Sequence, residues 1–275
     1  MREDERALRG VLDRLGVDGS AEVEPAAGGA SGAAWFVRTA SERYVLRVDG
    51  SPIRTDARLA AIDAARGAGL PAPALVRRSD EPGRIGLLLT YLEGVPVLDL
   101  LWRSADEAIA WASRMGALHR RLHAVVAPEA VISVDDEAGR PFHVGELRDE
   151  VPIGGSLLHF DWHPGNLLAD EASGEISGIV DWDNARRGHP SLDLARTESM
   201  LTVEPFIGAL EPASRRLVDQ VRLAWADGYG PEAAAIPAAA RRWAGRVMLE
   251  DLAHRYADHP ERLDPARRWA EGVFS

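Results

Sequence analysis

Apolar residues recur at helical spacing near the start of the chain. Within 5–15, the positions that share one helix face are Leu8, Val11, Leu12 and Leu15. Gly16 follows directly, so the pattern predicts an amphipathic helix that ends at this glycine.

Strand-like runs dominate the residues that follow, up to about position 92. The runs 34–38 and 44–48 are rich in β-branched and aromatic residues and flank a polar turn, which predicts a hairpin. A glycine-rich stretch, 28–32, precedes this hairpin. The run 85–92 predicts a buried strand, and helical spacing predicts a helix over 55–69 between the hairpin and that strand.

Helical spacing dominates the second half of the chain. Ser104 and Glu107 form a capping box, which predicts the start of a helix. Its expected buried stripe consists of Trp111, Met115, Leu118, Leu122 and Val125. Later helices are predicted from Pro212, over about 237–257, and from Pro265. Strands followed by helices indicate an α+β fold.

Composition narrows the class of protein. The chain has 275 residues, a net charge of −11, no cysteine and 46% hydrophobic residues, and all 32 of its basic residues are arginine. The acidic charge argues against nucleic acid as a partner, because phosphate binding requires a basic face. No apolar run is long enough to span a membrane and the first residues lack a signal-peptide core, so we expect a cytoplasmic protein that does not bind membranes.

Three side chains between 159 and 181 suggest phosphoryl transfer. Asp161 and Asn166 precede two short strand-like runs joined by a turn at 170–174, and Asp181 follows them. Such a hairpin brings the three side chains to one mouth. In phosphoryl transfer a carboxylate orients the attacking hydroxyl, while an amide and a second carboxylate hold Mg²⁺ against the nucleotide phosphates.

The same residues resemble a known family. The pattern His159-Phe-Asp161-Trp-His-Pro-Gly-Asn166, followed by Ile-Val-Asp181-Trp, is similar to that of aminoglycoside phosphotransferases and related small-molecule kinases. The segment 188–195, with Asp193 expected to support the loop, resembles the family as well. The resemblance implies a bilobal protein-kinase-like fold, with a small β-rich N-lobe at 1–92 and a larger, mainly helical C-lobe at 93–275.

The resemblance also implies roles for individual residues. Asp161 is expected to be catalytic, Asn166 and Asp181 to bind Mg²⁺, and ATP, with GTP left open, to lie between the lobes. The residues expected to bind the nucleotide are Gly29, Ser31, Gly32, Arg47, Thr90, Tyr91 and Leu92. Kinases of this kind pair the phosphate-binding cation with a glutamate on the next helix. That helix has no glutamate here, so Asp56 or Asp63 would have to replace it.

The substrate is expected to be a small hydroxylated molecule, possibly cationic. The acidic residues that could bind ammonium groups, or could simply be solvated, are Asp183, Glu198, Glu204, Glu250 and Asp251. The substrate could be an antibiotic of aminoglycoside or macrolide type. It could also be a metabolite alcohol such as homoserine, choline or a thiosugar.

Two other interpretations stay open at the level of sequence. A metal-dependent hydrolase could use His159, Asp161, His163, Asp181 and His189 as ligands. An inactive nucleotide-binding scaffold would fit the arginine at position 47 and the missing glutamate. His119 and His123, one helical turn apart, are expected to be structural.

Overall fold

The computed structural model describes residues 3–26, 34–136 and 141–274. Its first part contains two helices and five strands. In chain order they are α1 (Glu3–Arg14), β1 (Glu22–Pro25), β2 (Ala34–Arg38), β3 (Arg43–Asp49), α2 (Pro52–Gly67), β4 (Leu75–Glu81) and β5 (Arg84–Thr90). The strands form one antiparallel sheet in the order β1-β2-β3-β5-β4.

The two faces of this sheet pack against different groups of side chains because successive residues of a strand point to opposite faces. Leu88 of β5 packs with Leu12 and Leu15 from the region of α1. Its neighbours Leu87 and Leu89 pack with Leu59 of α2. Helices therefore cover both faces, and the predicted hairpin forms with Ala34 opposite Arg47.

The second part is mainly helical. Its strands are β6 (Val95–Pro96), β7 (Ser156–Leu158), β8 (Leu167–Asp170), β9 (Glu175–Ile179) and β10 (Arg186–Gly188). Its helices are α3 (Val97–Leu100), α4 (Ala105–His123), α5 (Pro190–Met200), α6 (Pro205–Gly208), α7 (Pro212–Tyr229), α8 (Pro231–Ala234), α9 (Ala238–Leu252) and α10 (Asp264–Ala270). Short 3₁₀ turns lie at 145–147, 164–166, 182–184 and 260–263.

Helices α4 and α7 approach each other closely through glycines. A Cβ added at Gly116 would lie 2.0 Å from the Trp225 carbonyl oxygen, and one added at Gly228 would lie 2.1 Å from that of Ser113. Only a residue without a side chain fits at such a contact. The contact fixes the position of α4, which carries the buried His119 and His123.

The predicted fold class is confirmed, with a β-rich first part and a helical second part. The predicted N-cap forms, since the Ser104 hydroxyl accepts a hydrogen bond from the Glu107 amide at 3.2 Å. The helix predicted over 237–257 is shorter and ends at Leu252. The predicted lobe boundary at residue 92 lies just beyond the end of β5 at Thr90.

The described helices include none that is both long and apolar enough to cross a membrane.

Candidate active site

The backbone of the 159–166 loop is held by one buried carboxylate. Asp193, on α5, accepts hydrogen bonds from the backbone amides of His159 at 2.6 Å and Phe160 at 3.0 Å. Phe160 has a φ of 61°, a left-handed conformation that is unfavourable for an aromatic residue. Asp193 thus stabilises an otherwise disfavoured turn immediately before Asp161.

Two histidines on α4 support Asp193. The Nε2 atoms of His119 and His123 each lie 3.2 Å from Asp193 Oδ2. Burial alone would raise the pKa of Asp193, but the two histidines hold it well below its usual range. Burial lowers the pKa of His119 to about 3, so this histidine contacts the carboxylate as a neutral ring. The structure therefore places His119 and His123 in a supporting position.

Asp161 and Asn166 are linked by direct hydrogen bonds. Asn166 Nδ2 donates to the Asp161 carboxylate at 3.0 Å and to the Asp161 carbonyl oxygen, also at 3.0 Å. This pairing orients the Asp161 side chain and turns Asn166 Oδ1 away from the carboxylate. His163 is a weaker neighbour, with Nε2 at 3.6 Å from Asp161 Oδ1.

Asp181 is brought to the same place by the β8–β9 hairpin. The Val180 amide donates to the Asn166 carbonyl oxygen at 2.9 Å, and His159 Nε2 lies 3.1 Å from the Val180 carbonyl oxygen. Since a carbonyl can only accept, His159 carries its proton on Nε2. Burial raises the pKa of Asp181, as do its acidic neighbours Asp183 and Asp161, so the site favours a compensating cation.

The side chains that meet beside the β8–β9 hairpin are of the kind that binds Mg²⁺. Asn166 Oδ1 and the carboxylates of Asp161 and Asp181 are hard oxygen donors, which Mg²⁺ prefers over nitrogen or sulfur. The amide has its nitrogen committed to Asp161, so its oxygen is the atom available to a metal. Asn166 and Asp181 are therefore suited to hold the ion.

Arg47 lies beside the predicted metal site. It forms an ion pair with Asp183 and lies 3.6 Å from Asp181, Nη1 to Oδ1. Neither Asp56 nor Asp63 takes the place of the missing glutamate, since Asp56 pairs with Arg78 at 2.5 Å and Asp63 is exposed. The counter-charge for Arg47 comes instead from the turn after Asp181.

Helix α2 contributes a cation that the sequence analysis missed. Arg58, whose side chain is 7% exposed, pairs with Asp49 and with Asp183 at 2.5 Å. These two acids offset the cost of burial and raise the pKa of Arg58, and Arg47 and Arg58 together hold the pKa of Asp183 below its usual range despite burial. The sequence did contain a signal for the burial of Arg58. Arg58 precedes the inward-facing Ile62 by four residues, so the two side chains share one face of the helix.

The residues predicted to contact adenine lie at the end of β5. The Thr90 amide donates to the Ala74 carbonyl oxygen at 2.9 Å, so this N–H is already engaged. Tyr91 and Leu92 follow the last paired residue of the strand and are half-buried. Gly29, Ser31 and Gly32, the predicted phosphate loop, lie outside the described residues.

A cavity of about 660 Å³ opens beside these groups. Asp161, Asn166 and Asp181 all line it, and it continues between α3, α6, α7 and α9. Of the acids predicted to bind substrate, Asp183 and Asp251 line the cavity, as does Glu204. Asp183, however, forms ion pairs with Arg47 and Arg58.

Two of the predicted substrate contacts are not brought to this cavity. Glu198 is paired with Arg241 at 2.6 Å and is largely buried. Glu250 is exposed on α9 and is not part of the cavity wall. Arg196 and Arg255, which do line the cavity, were missed by the sequence analysis because helical spacing alone does not show which helices face one another.

The alternative metal centre is not assembled. His159 contacts the Val180 carbonyl oxygen, and His189 Nδ1 contacts the Ser191 hydroxyl at 2.9 Å. Within the described part of the chain, the group that could hold a metal through three histidine or acidic ligands is His119, His123 and Asp193. That group supports the loop and lacks Asp161 and Asp181.

Comparison with known proteins finds solved structures with a similar fold. Curated proteins give no significant match. The solved structure of aminoglycoside phosphotransferase APH(4)-Ia is similar with a TM-score of 0.66 at 15% identity, over 99% of this chain and 100% of that one. A thermostable mutant of APH(4)-Ia in a ternary complex with ADP and hygromycin B gives 0.63 at 14% identity, over 97% and 98%. Choline kinase LicA from Streptococcus pneumoniae gives 0.62 at 12%, over 99% of both chains.

These identities are low, so the solved structures show a shared fold. The model of the phosphotransferase enzyme family matches residues 22–152 and 143–243. Because that match covers more than half of the 275 residues, the chain belongs to the phosphotransferase enzyme family and is a small-molecule kinase, as the residues around Asp161 predict.

Proposed function

We propose that this kinase transfers the γ-phosphoryl group of ATP to a hydroxyl of a small molecule, with Mg²⁺ held by Asn166 and Asp181. The observation that carries the proposal is the convergence of Asp161, Asn166 and Asp181 at the mouth of one cavity. The ternary complex of the APH(4)-Ia mutant with ADP and hygromycin B supports an adenine nucleotide as the donor. GTP is the alternative donor, and we expect the enzyme to act in the cytoplasm.

In this proposal Asp161 acts on the acceptor. Its carboxylate, oriented by Asn166, accepts a hydrogen bond from the attacking hydroxyl and aligns the oxygen with the γ-phosphorus. Bound Mg²⁺ neutralises charge on the phosphates. Arg47 adds a permanent positive charge near Asp181, and Tyr91 and Leu92 offer backbone groups to adenine. Asp193, His119 and His123 keep the loop in its left-handed turn.

The size of the cavity supports an acceptor as large as an antibiotic. A volume of about 660 Å³ falls in the range of sites that enclose drug-sized ligands. We therefore propose that the acceptor is an antibiotic of aminoglycoside or macrolide type, which would make the enzyme a resistance factor. A metabolite alcohol is the second candidate, supported by the similar fold of a choline kinase.

The test is nucleotide consumption with Mg²⁺ and a panel of antibiotics and small alcohols, followed by detection of the phosphorylated product. Asp161→Asn should lower turnover about 10²- to 10⁴-fold, the contribution of a positioned general base. Asp219→Asn, which changes an exposed acid on α7, is the matched control and should leave turnover unchanged. Nucleotide binding without turnover of any acceptor would instead support an inactive scaffold, and absence of nucleotide binding would refute the proposal.

A further inference from the structure

The wall of the cavity beyond Asp161 is mostly apolar. Side chains from α6, α7 and α9 form it, including Ile207, Val221 and Met248. At the edge lie three large apolar side chains with high exposure: Leu98 at 38%, Trp102 at 46% and Phe206 at 46%. Exposed apolar surface beside a cavity is typical of a ligand-binding groove.

The charged groups of the same wall balance one another. They are two arginines, Arg196 and Arg255, and two acids, Glu204 and Asp251. Arg196 Nη2 donates to Asp251 Oδ2 at 2.7 Å, and the Arg196 side chain is 5% exposed. Burial raises the pKa of Glu204, although both arginines act in the opposite direction. This part of the wall therefore offers no surplus of negative charge to a ligand.

The remaining acids of the cavity are also committed. Asp183 is paired with Arg47 and Arg58, while Asp161 and Asp181 belong to the phosphoryl-transfer site. A polycationic acceptor would need several free carboxylates to replace the water around its ammonium groups. An apolar acceptor needs only the apolar wall, which loses its contact with water when the ligand binds.

We propose, on the basis of the proposed function, that the acceptor is an alcohol with an extended apolar body and at most one positive charge. Its hydroxyl lies at Asp161, and its apolar body covers Leu98, Trp102 and Phe206. The hydroxyl oxygen forms the new bond to the γ-phosphorus, the bond from that phosphorus to ADP breaks, and the hydroxyl proton passes to Asp161. This acceptor class favours macrolide-like molecules over polyamine sugars.

The test measures binding, so it does not depend on turnover. The Mg·ADP-loaded protein is titrated in a calorimeter with straight-chain alkan-1-ols from butanol to decanol, and with hygromycin B as the polycationic comparison. Each added methylene should lower the dissociation constant about fourfold, the value expected for burial of one CH₂. The alkanol affinities should not weaken as salt is raised, since no charge pair is involved.

Variants locate the binding surface. Phe206→Ala and Trp102→Ala should each raise the dissociation constant for octan-1-ol about tenfold, because part of the buried apolar contact is lost. Both residues are partly exposed, so the fold should tolerate their loss. Leu223→Ala is the matched control, because Leu223 is 57% exposed on α7 and is not part of the cavity wall, and it should change nothing.

Three results would overturn the proposal: affinities that do not depend on chain length, alkanol binding that is unaffected by both wall variants, or salt-sensitive binding of hygromycin B that is tighter than that of octan-1-ol. Turnover of a polycation that depends on Asp161 would leave the kinase function standing and refute only the acceptor class. Alkanol binding at the wall with no turnover of any acceptor would support the acceptor class and refute the proposed phosphoryl transfer.

Discussion

Replacing Asp193 by asparagine tests whether one buried carboxylate positions the 159–166 loop. Asp193 accepts amide hydrogen bonds from His159 and Phe160 and contacts His119 and His123. Hydrogen bonds to a charged group contribute about 1.5–3 kcal/mol each. Asparagine keeps one acceptor oxygen and replaces the other by an NH₂ group. At least one of the two hydrogen bonds from the backbone amides is therefore lost, and the NH₂ group then faces a buried N–H donor.

The expected loss is about 3–5 kcal/mol of unfolding free energy, from the weakened charge-assisted hydrogen bonds and the buried donor that is left unsatisfied. For a protein of this size that lowers the melting temperature by about 10 °C. Since Phe160 lies in a left-handed turn next to Asp161, turnover should fall as well. Urea unfolding followed by tryptophan fluorescence measures the first effect, and nucleotide consumption at a temperature where both proteins are folded measures the second.

The control is Asp219→Asn, which removes an exposed acid on α7 and should alter neither quantity. An Asp193→Asn protein that unfolds within 1 kcal/mol of the wild type, with unchanged turnover, would refute the supporting role of Asp193.

Three further outcomes follow from the structure. Arg47→Met should weaken Mg·ATP binding about tenfold or more, because a charge-assisted phosphate contact is lost; calorimetry that gives an unchanged dissociation constant would exclude Arg47 from the nucleotide site. His119 stays neutral in the folded protein down to a pKa of about 3. The unfolded chain takes up its proton near pH 6.5, so stability is greatest above that pH and falls by about 2 kcal/mol at pH 5. Urea midpoints at pH 7.5 and 5 check this, and His119→Asn should reduce the difference. Gly116→Ala should destabilise severely, because its Cβ would lie 2.0 Å from a carbonyl oxygen of α7, whereas Gly67→Ala, in open space on α2, should be neutral or stabilising in the same unfolding assay.

The residues that sequence reasoning identified at the centre of the site lie close together along the chain. Asp161, Asn166 and Asp181 fall within 21 residues, and a single hairpin joins them, so local pattern was enough to predict their meeting. The helical faces of α1 and α4 were predictable for the same reason. Their apolar spacing reflects burial directly.

Contacts between distant segments could not be predicted in this way. Asp183 and Arg58 are 125 residues apart, and no periodicity connects them. The position of Glu198 depends on Arg241, which stands on another helix and neutralises it. The composition of the cavity wall depends on how α6, α7 and α9 are arranged, which amphipathic patterns leave open because each pattern specifies only that one face is buried.

Arg58 has a consequence for regulation. In protein kinases, displacement of the helix that follows the phosphate-binding strand switches the enzyme off. Here the equivalent helix, α2, is anchored by a buried cation between Asp49 and Asp183. An outward swing would break both ion pairs of Arg58 and leave the largely buried Asp49 without its partner, which disfavours the displaced state. The enzyme is therefore expected to be constitutively competent, with its output set by the supply of acceptor and nucleotide.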